Sequence, residues 1–289
     1  MNESVAIPLP PAPSILQGIS DGCRVVAIVN QKGGVGKTTT AVNLAACLAV
    51  AEEPTLLVDL DPQSNATSAF GIRSSGPALY RSLVLREHLG NGSLQDIDIK
   101  GLKILPSSID LAGAEVELAD LPDRASRLRE VLAPLRSRFR FILIDCPPSL
   151  GFLTLNGLRA ADEVLIPIQA EYFALEGLAR LMKTVERVRG SLHPGLRVGG
   201  IVLTMYDART NLSRQVGEEL RSHMPSLVYR VAIPRNVRLA EAPSHGKPVI
   251  LYDIGSRGSQ SYLALAKEIM LRDKPATQEV VPSEATAAI

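Results

Sequence analysis

The sequence predicts an α/β fold, a doubly wound and mostly parallel sheet with helices on both faces. Three observations predict it. Short runs of β-branched and aliphatic residues alternate with stretches whose apolar residues recur every three or four positions, as expected of strands covered on both faces by helices. No internal repeat and no Pro/Gly/Ser linker divides the span from Arg24 to Arg272, so one domain is the economical reading. A chain of 289 residues that is 46% hydrophobic can also bury a sizeable core.

Taken in order, residues 1–22 read as a flexible arm, because Pro8, Pro10, Pro11 and Pro13 forbid a continuous helix or a central strand. Residues 23–272 read as the folded domain. Its strands are expected at Val25–Asn30, Thr55–Asp61, Leu102–Leu105, Phe139–Asp145, Glu163–Gln169, Val198–Met205 and Val228–Ile233. Helical periodicity is clearest over Thr38–Val50, Leu175–Arg189 and Ser261–Leu271. Residues 273–289 carry Pro275 and Pro282 and few large apolar side chains, and read as a loose tail.

Composition narrows the class. Cys23, Cys47 and Cys146 lie singly, without the C-x-x-C spacing of a zinc site or the pairing of a disulfide framework. No apolar run reaches the roughly 18 residues of a membrane span, and the first 22 residues lack a signal peptide's basic start and apolar centre. A cytoplasmic protein is expected. The net charge of +1 argues for no anionic partner globally. Locally, the stretch from Arg180 to Arg238 holds eleven Lys/Arg against four acids, an excess of seven. Such a stretch is either a solvated face or a surface for an anion.

The strongest motif is Lys32-Gly33-Gly34-Val35-Gly36-Lys37-Thr38-Thr39, set between a buried strand and a helix. Glycines let backbone N–H groups turn inward around a polyphosphate, the helix N-terminus adds its dipole, and Lys37 supplies a charge near the β and γ phosphates. Thr38 is expected to offer its hydroxyl to Mg²⁺. The position five before Gly36 is Gln31, and a second lysine, Lys32, opens the loop. The strand Thr55–Asp61 delivers Asp59 and Asp61 at its C-terminal end, where α/β sheets place their ligands. There they can accept a proton from water or support a metal shell, or act as ordinary loop or N-cap aspartates. A third run, Phe141-Ile142-Leu143-Ile144-Asp145, ends a buried strand in a carboxylate suited to Mg²⁺ through water.

The loop KGGVGKTT resembles the deviant phosphate loop of the ParA/MinD group of P-loop ATPases. Asp59 to Thr67 is similar to that group's D-x-D-P-Q-G-N-A-T segment, with Ser64 in place of glycine. Pro167–Gly177 and Ile233–Ser244 also resemble ParA segments, so the likeness covers nearly all of Val25 to Met270. The resemblance implies that Lys32 reaches the nucleotide of a partner subunit, rather than being a solvated loop lysine. It also implies that Asp61 positions the attacking water and Asp59 supports the metal shell. By the same likeness Pro234 and Asn236 lie against the adenine, although ending a strand and capping the next helix would use the same geometry.

Three relatives of this loop class differ in function. Nitrogenase-type iron proteins need paired cluster cysteines, and Cys23 and Cys47 are not on loops suited to ligation. MinD proteins end in a basic amphipathic helix, whereas the segment from Ala276 to Glu284 is acidic and interrupted by proline. ATP-dependent small-molecule ligases would leave the basic stretch unexplained. The ParA resemblance therefore implies an ATP- and Mg²⁺-dependent DNA-segregation ATPase, cytoplasmic and nucleoid-associated. Its expected partners are a second copy of itself, nonspecific double-stranded DNA contacted by Arg235 and Arg238, and a ParB-like protein that stimulates hydrolysis. Positioning of another cellular cargo is the alternative within the class.

Overall fold

The computed structural model describes residues 22–73 and 76–273. Apart from Gly22 and Asp273, the expected arm and tail lie outside the described residues. Among the described residues there are eight strands: β1 (Arg24–Ile28), β2 (Thr55–Asp59), β3 (Gln95–Asp96), β4 (Leu102–Leu105), β5 (Phe141–Asp145), β6 (Glu163–Gln169), β7 (Arg197–Tyr206) and β8 (Val228–Pro234). The helices are α1 (Lys37–Val50), α2 (Asn65–Ala69), α3 (Ala78–Val84), α4 (Leu111–Glu117), α5 (Arg127–Leu132), α6 (Phe152–Ala160), α7 (Ala174–Ser191), α8 (Asn211–His223), α9 (Val237–Glu241), α10 (Val249–Tyr252) and α11 (Arg257–Asp273).

The strands form one sheet in the order β3-β4-β2-β5-β1-β6-β7-β8. Only the two-residue β3 runs antiparallel to its neighbour. The doubly wound, mostly parallel sheet is thus present, with β1 at its centre between β5 and β6. Chain order reverses direction around β1, and in such sheets the crevice beyond the strand C-termini at that point is where ligands bind.

Strand alternation builds two cores. Val25 and Ala27 of β1, Leu56 and Val58 of β2, and Ile142 and Ile144 of β5 face the layer of α3 to α8. Val26, Ile28, Leu57, Phe141 and Leu143 face α1, α2, α9, α10 and α11. Every residue of β1, β2 and β5 is buried. Helix α1 is enclosed on nearly all sides, with eleven of its fourteen residues buried, which makes it a rigid support for the loop that precedes it.

Several boundaries differ from expectation. β1 and β2 stop at Ile28 and Asp59, each two residues early, so Asn30 and Asp61 lie in loops. β5 begins at Phe141 rather than Phe139, and β7 extends from Arg197 to Tyr206. β1 has its last registered partners, Leu165 and Asp145, at Ile28.

Candidate functional site

The loop Gln31–Gly36 leaves β1 and enters α1 through two left-handed glycines, Gly34 at φ 74° and Gly36 at φ 84°. Residues with a Cβ rarely adopt this conformation. Gly36 occupies the N-cap position of α1 and offers no side-chain cap, so the first N–H groups of α1 are left to a ligand. Neighbouring strands brace the loop. The Thr204 hydroxyl of β7 donates to the Val35 carbonyl at 2.8 Å. The Asn30 amide donates to the Pro167 carbonyl of β6 at 2.8 Å, and its Oδ1 accepts from Lys32 N at 3.0 Å.

Lys37 is 7% exposed, and its ammonium donates to the Lys32 carbonyl at 3.1 Å. Burial lowers its pKa, while the charges of Asp145 and Asp61 oppose that shift. Thr38 and Thr39 open the first turn of α1 beside a cleft of about 330 Å³. The cleft is walled by Val42 and Asn43 of α1, by Asn65 and Ser68 of α2, and by Pro243 and Lys247. Its volume lies at the low end of small-ligand pockets.

The three carboxylates meet below this loop. Asp59 and Asp145 end adjacent parallel strands as register partners. Both are fully buried, and Asp61 is 7% exposed. Burial pushes the Asp59 carboxyl up to about 6, against hydrogen bonds from the Thr67 hydroxyl and N–H at 2.6 and 2.8 Å. Asp61 Oδ1 accepts from Gln63 N at 3.0 Å. Both Asp145 oxygens are buried without a hydrogen-bond partner among the described residues. Burial, then the charge of Asp59, raises the Asp145 pKa well above the carboxylate range. The Thr38 side chain opposes this without meeting hydrogen-bond geometry. A buried carboxylate with two orphaned oxygens is costly unless a cation or its waters satisfy it.

No cluster of three or more His, Cys, Asp or Glu able to hold a metal occurs among the described residues. Mg²⁺ needs none, since it is commonly held through one or two protein groups together with phosphates and water. The residues therefore fit a Mg-bound polyphosphate: α1 amides and Lys37 for phosphate, with Thr38, Asp145 and Asp59 on the metal side.

The remaining expected residues lie around the rim. Lys32 is half-exposed and pairs with Glu171, which follows β6. Pro234 ends β8, and the Asn236 side chain caps α9 by accepting from Arg238 N at 3.0 Å. Neither residue lines the cleft described above. The Arg238 guanidinium is held by Glu241 at 2.9 Å and Asp253 at 3.2 Å and lies over Tyr252. Arg235 is exposed and forms no ion pair among the described residues.

The basic stretch does not fold into a single patch. Its α7 and α8 residues belong to one layer, while Arg238 belongs to α9 in the other. Arg180, Arg197 and Arg238 are compensated by Glu176, Glu163 and the pair Glu241 and Asp253, all outside the stretch. A count within a sequence window could not include those acids.

Sequence reasoning gave no role to Thr67, Ser107, Asn43 or Glu171. Asn43 was detectable as a lone amide in an apolar helix. Its Oδ1 accepts Val249 N at 2.7 Å and its Nδ2 donates to the Thr39 carbonyl at 2.8 Å, tying α1 to α10. One further contact joins the loop after Asp61 to the segment after Arg238. Gly71 (φ 77°), just beyond α2, packs against Gly246 (φ 65°), where a Cβ would lie 2.8 Å from Gly71 Cα and 3.1 Å from Gly71 N.

A family model described as an AAA domain matches residues 23–198. The chain is 53% identical over 254 residues to the chromosome partitioning protein ParA of Myxococcus xanthus, covering 87% of this chain and 89% of that one. It is 51% identical over 252 residues to the sporulation initiation inhibitor protein Soj of Bacillus subtilis, covering 85% and 98%. Among solved structures, cobyrinic acid a,c-diamide synthase of Mycobacterium smegmatis with bound ADP and magnesium is 36% identical, with TM-score 0.71 over 85% of this chain and 93% of that one. The septum site-determining protein MinD of Pyrococcus horikoshii, complexed with Mg-ADP, shares the fold at 24% identity and TM-score 0.71, covering 86% and 96%. By fold, phosphate loop and relatedness over most of its length, the chain belongs to the ParA/Soj family of chromosome-partitioning ATPases.

Proposed function

We propose that this chain binds and hydrolyses ATP with Mg²⁺, pairs with a second copy when ATP is bound, and in that state binds DNA without reading its sequence. The observation that carries this reading is the pair of unpartnered oxygens on buried Asp145, set beside Lys37 and the uncapped start of α1. When bound, Mg²⁺ supplies charge neutralisation on the phosphates. Lys37 and the N–H groups of Gly33 to Thr39 hold the polyphosphate. Thr38, Asp59 and Asp145 hold the metal side. Asp61 orients the attacking water and accepts its proton. Pro234 and Asn236 stand at the adenine end.

Lys32 leaves Glu171 to reach the partner's nucleotide, so the site is complete only in the pair. Support for self-association comes from exposed apolar residues beyond the C-terminal ends of β4 to β8: Ile109, Leu150, Tyr172, Phe173, Leu212 and Val237. An apolar rim around a polar site suits a protein surface better than water. Pairing doubles a modest cationic surface that includes Arg235 and Arg238, and nucleotide state thereby biases DNA affinity. A ParB-like protein accelerates hydrolysis and releases the DNA, and the chain works in the cytoplasm on the nucleoid.

DNA retention measured with ATP, with ADP and without nucleotide, alongside sizing in each state, tests this. ATP-dependent pairing with ATP-dependent retention is expected; retention indifferent to nucleotide would refute the switch. Similarity to the diamide synthase favours a second reading, an ATP-dependent ligase. That enzyme would turn over ATP with a small carboxylate and an amide donor, and DNA would have no effect.

A further inference from the structure

Beneath the carboxylates lies a chain of buried hydrogen bonds to which the proposed function assigns nothing. The Thr67 hydroxyl of α2 donates to Asp59 Oδ2 at 2.6 Å, and the Thr67 N–H donates to the same oxygen at 2.8 Å. Behind them, Ser107 N–H donates to Thr67 Oγ1 at 3.0 Å, while the Ser107 hydroxyl donates to the Asp61 carbonyl at 2.6 Å. Thr67 is 2% exposed and Ser107 fully buried.

The bond directions are fixed by chemistry. A hydroxyl has one proton, and an N–H aimed at its oxygen leaves that proton for the acceptor on the far side. Ser107 therefore orients the Thr67 hydroxyl, which orients Asp59. Two strong donors saturate Oδ2, whereas Oδ1 receives only the longer 3.3 Å contact from Asp61 N. The carboxylate is thus fixed in rotation with one oxygen committed to the protein and the other largely available. A purely space-filling residue would not need this arrangement.

We propose that Thr67, oriented by Ser107, is a positioning residue for the metal shell. It fixes Asp59 so that Oδ1 stays largely available, and through Ser107 it ties that orientation to the backbone of Asp61. This rests on the reading of Asp59 as part of the Mg²⁺ shell. Outer-shell partners of metal-side carboxylates typically carry 10- to 100-fold in metal affinity.

The test uses the full chain and a fluorescent ATP analogue, titrated with Mg²⁺ and separately in chelator. Thr67→Val removes the hydroxyl and keeps shape and N–H. It is expected to bind the nucleotide within about twofold of the parent in chelator, and to need on the order of tenfold more Mg²⁺ for half-maximal Mg-dependent binding. Thr67→Ser should return the Mg²⁺ requirement to within about threefold. A folded Thr67→Val variant with the parent's Mg²⁺ requirement would overturn the proposal and leave Thr67 as packing. Should the valine variant not fold, Thr67→Ser against Thr67→Ala reads the hydroxyl alone: a Mg²⁺ requirement higher in alanine supports the role, and equal requirements overturn it. Asp59→Asn in parallel separates the two levels. If it too leaves the requirement unchanged, the assignment of Asp59 fails first.

Discussion

Without nucleotide, the buried carboxylates should make the protein less stable as pH rises, the reverse of ordinary acid denaturation. Burial lifts the Asp59 carboxyl from 3.8 to about 6 despite the opposing bonds from Thr67. Between those values the unfolded chain has lost this proton and the folded chain keeps it. The folded state then binds more protons, and stability falls with rising pH. At about 1.4 kcal/mol per pKa unit, Asp59 alone removes about 3 kcal/mol across this window, a loss that persists at higher pH. Asp145 acts in the same direction, because burial and the Asp59 charge raise it too. The assay is urea unfolding at intervals from pH 4 to 7, without nucleotide or Mg²⁺, for the parent and Asp59→Asn. Groups that do not interact with Asp59 cancel in the difference, Asp145 adds to the drop because the Asp59 charge raises it, and hydrogen bonding altered by the amide adds an offset that does not vary with pH. Parent stability minus variant stability should drop by about 2 kcal/mol or more from pH 4 to 7, since part of the full change lies below pH 4. A flat difference would refute the argument that desolvation outweighs the Thr67 bonds.

Further outcomes follow from the proposed roles. Lys37→Ala should abolish ATP binding, whereas Lys32→Ala should bind ATP yet stay monomeric and inactive, as read by nucleotide binding and sedimentation; a Lys32 variant that pairs normally would remove its role in the partner's site. Asp61→Ala should bind ATP, pair and stay on DNA, and phosphate release at the parent's rate would move the catalytic role to Asp59. In salt-titrated binding to two unrelated duplexes with ATP, Arg235→Glu should weaken both equally and lower the log–log salt slope by about 0.9 per lost phosphate contact. Arg238→Glu should have a smaller effect unless DNA displaces Glu241 and Asp253, to which that arginine is already paired.

Much of the frame was readable from local pattern, because buried parallel strands leave uninterrupted aliphatic runs. The bounds of Leu102–Leu105 and Glu163–Gln169 agree with the structure to the residue. The phosphate loop and the three aspartates were readable because each lies at or just beyond the end of a buried strand. Short helices such as α2 and α9 hold five residues each, too few to show a period. The two-residue β3 exists only through its pairing with β4. Partners distant in sequence were equally invisible: Ser107 stands 40 residues from Thr67, and nothing in the Asp59–Thr67 segment points to it. Arg238 was legible as a charge, but Asp253 was not legible as its neighbour.

The contact of Gly71 with Gly246 bears on how a surface turn can change over evolution. An alanine at 246 would meet backbone, not the end of a side chain that could rotate aside, and would also be held at positive φ. Relief would require shifting one of the two loops. The loop at Gly71 follows α2, which is pinned four residues earlier by Thr67 to Asp59 and Ser107. The tolerance of position 246 to substitution is therefore set by the rigidity of the nucleotide site rather than by its own position at the surface.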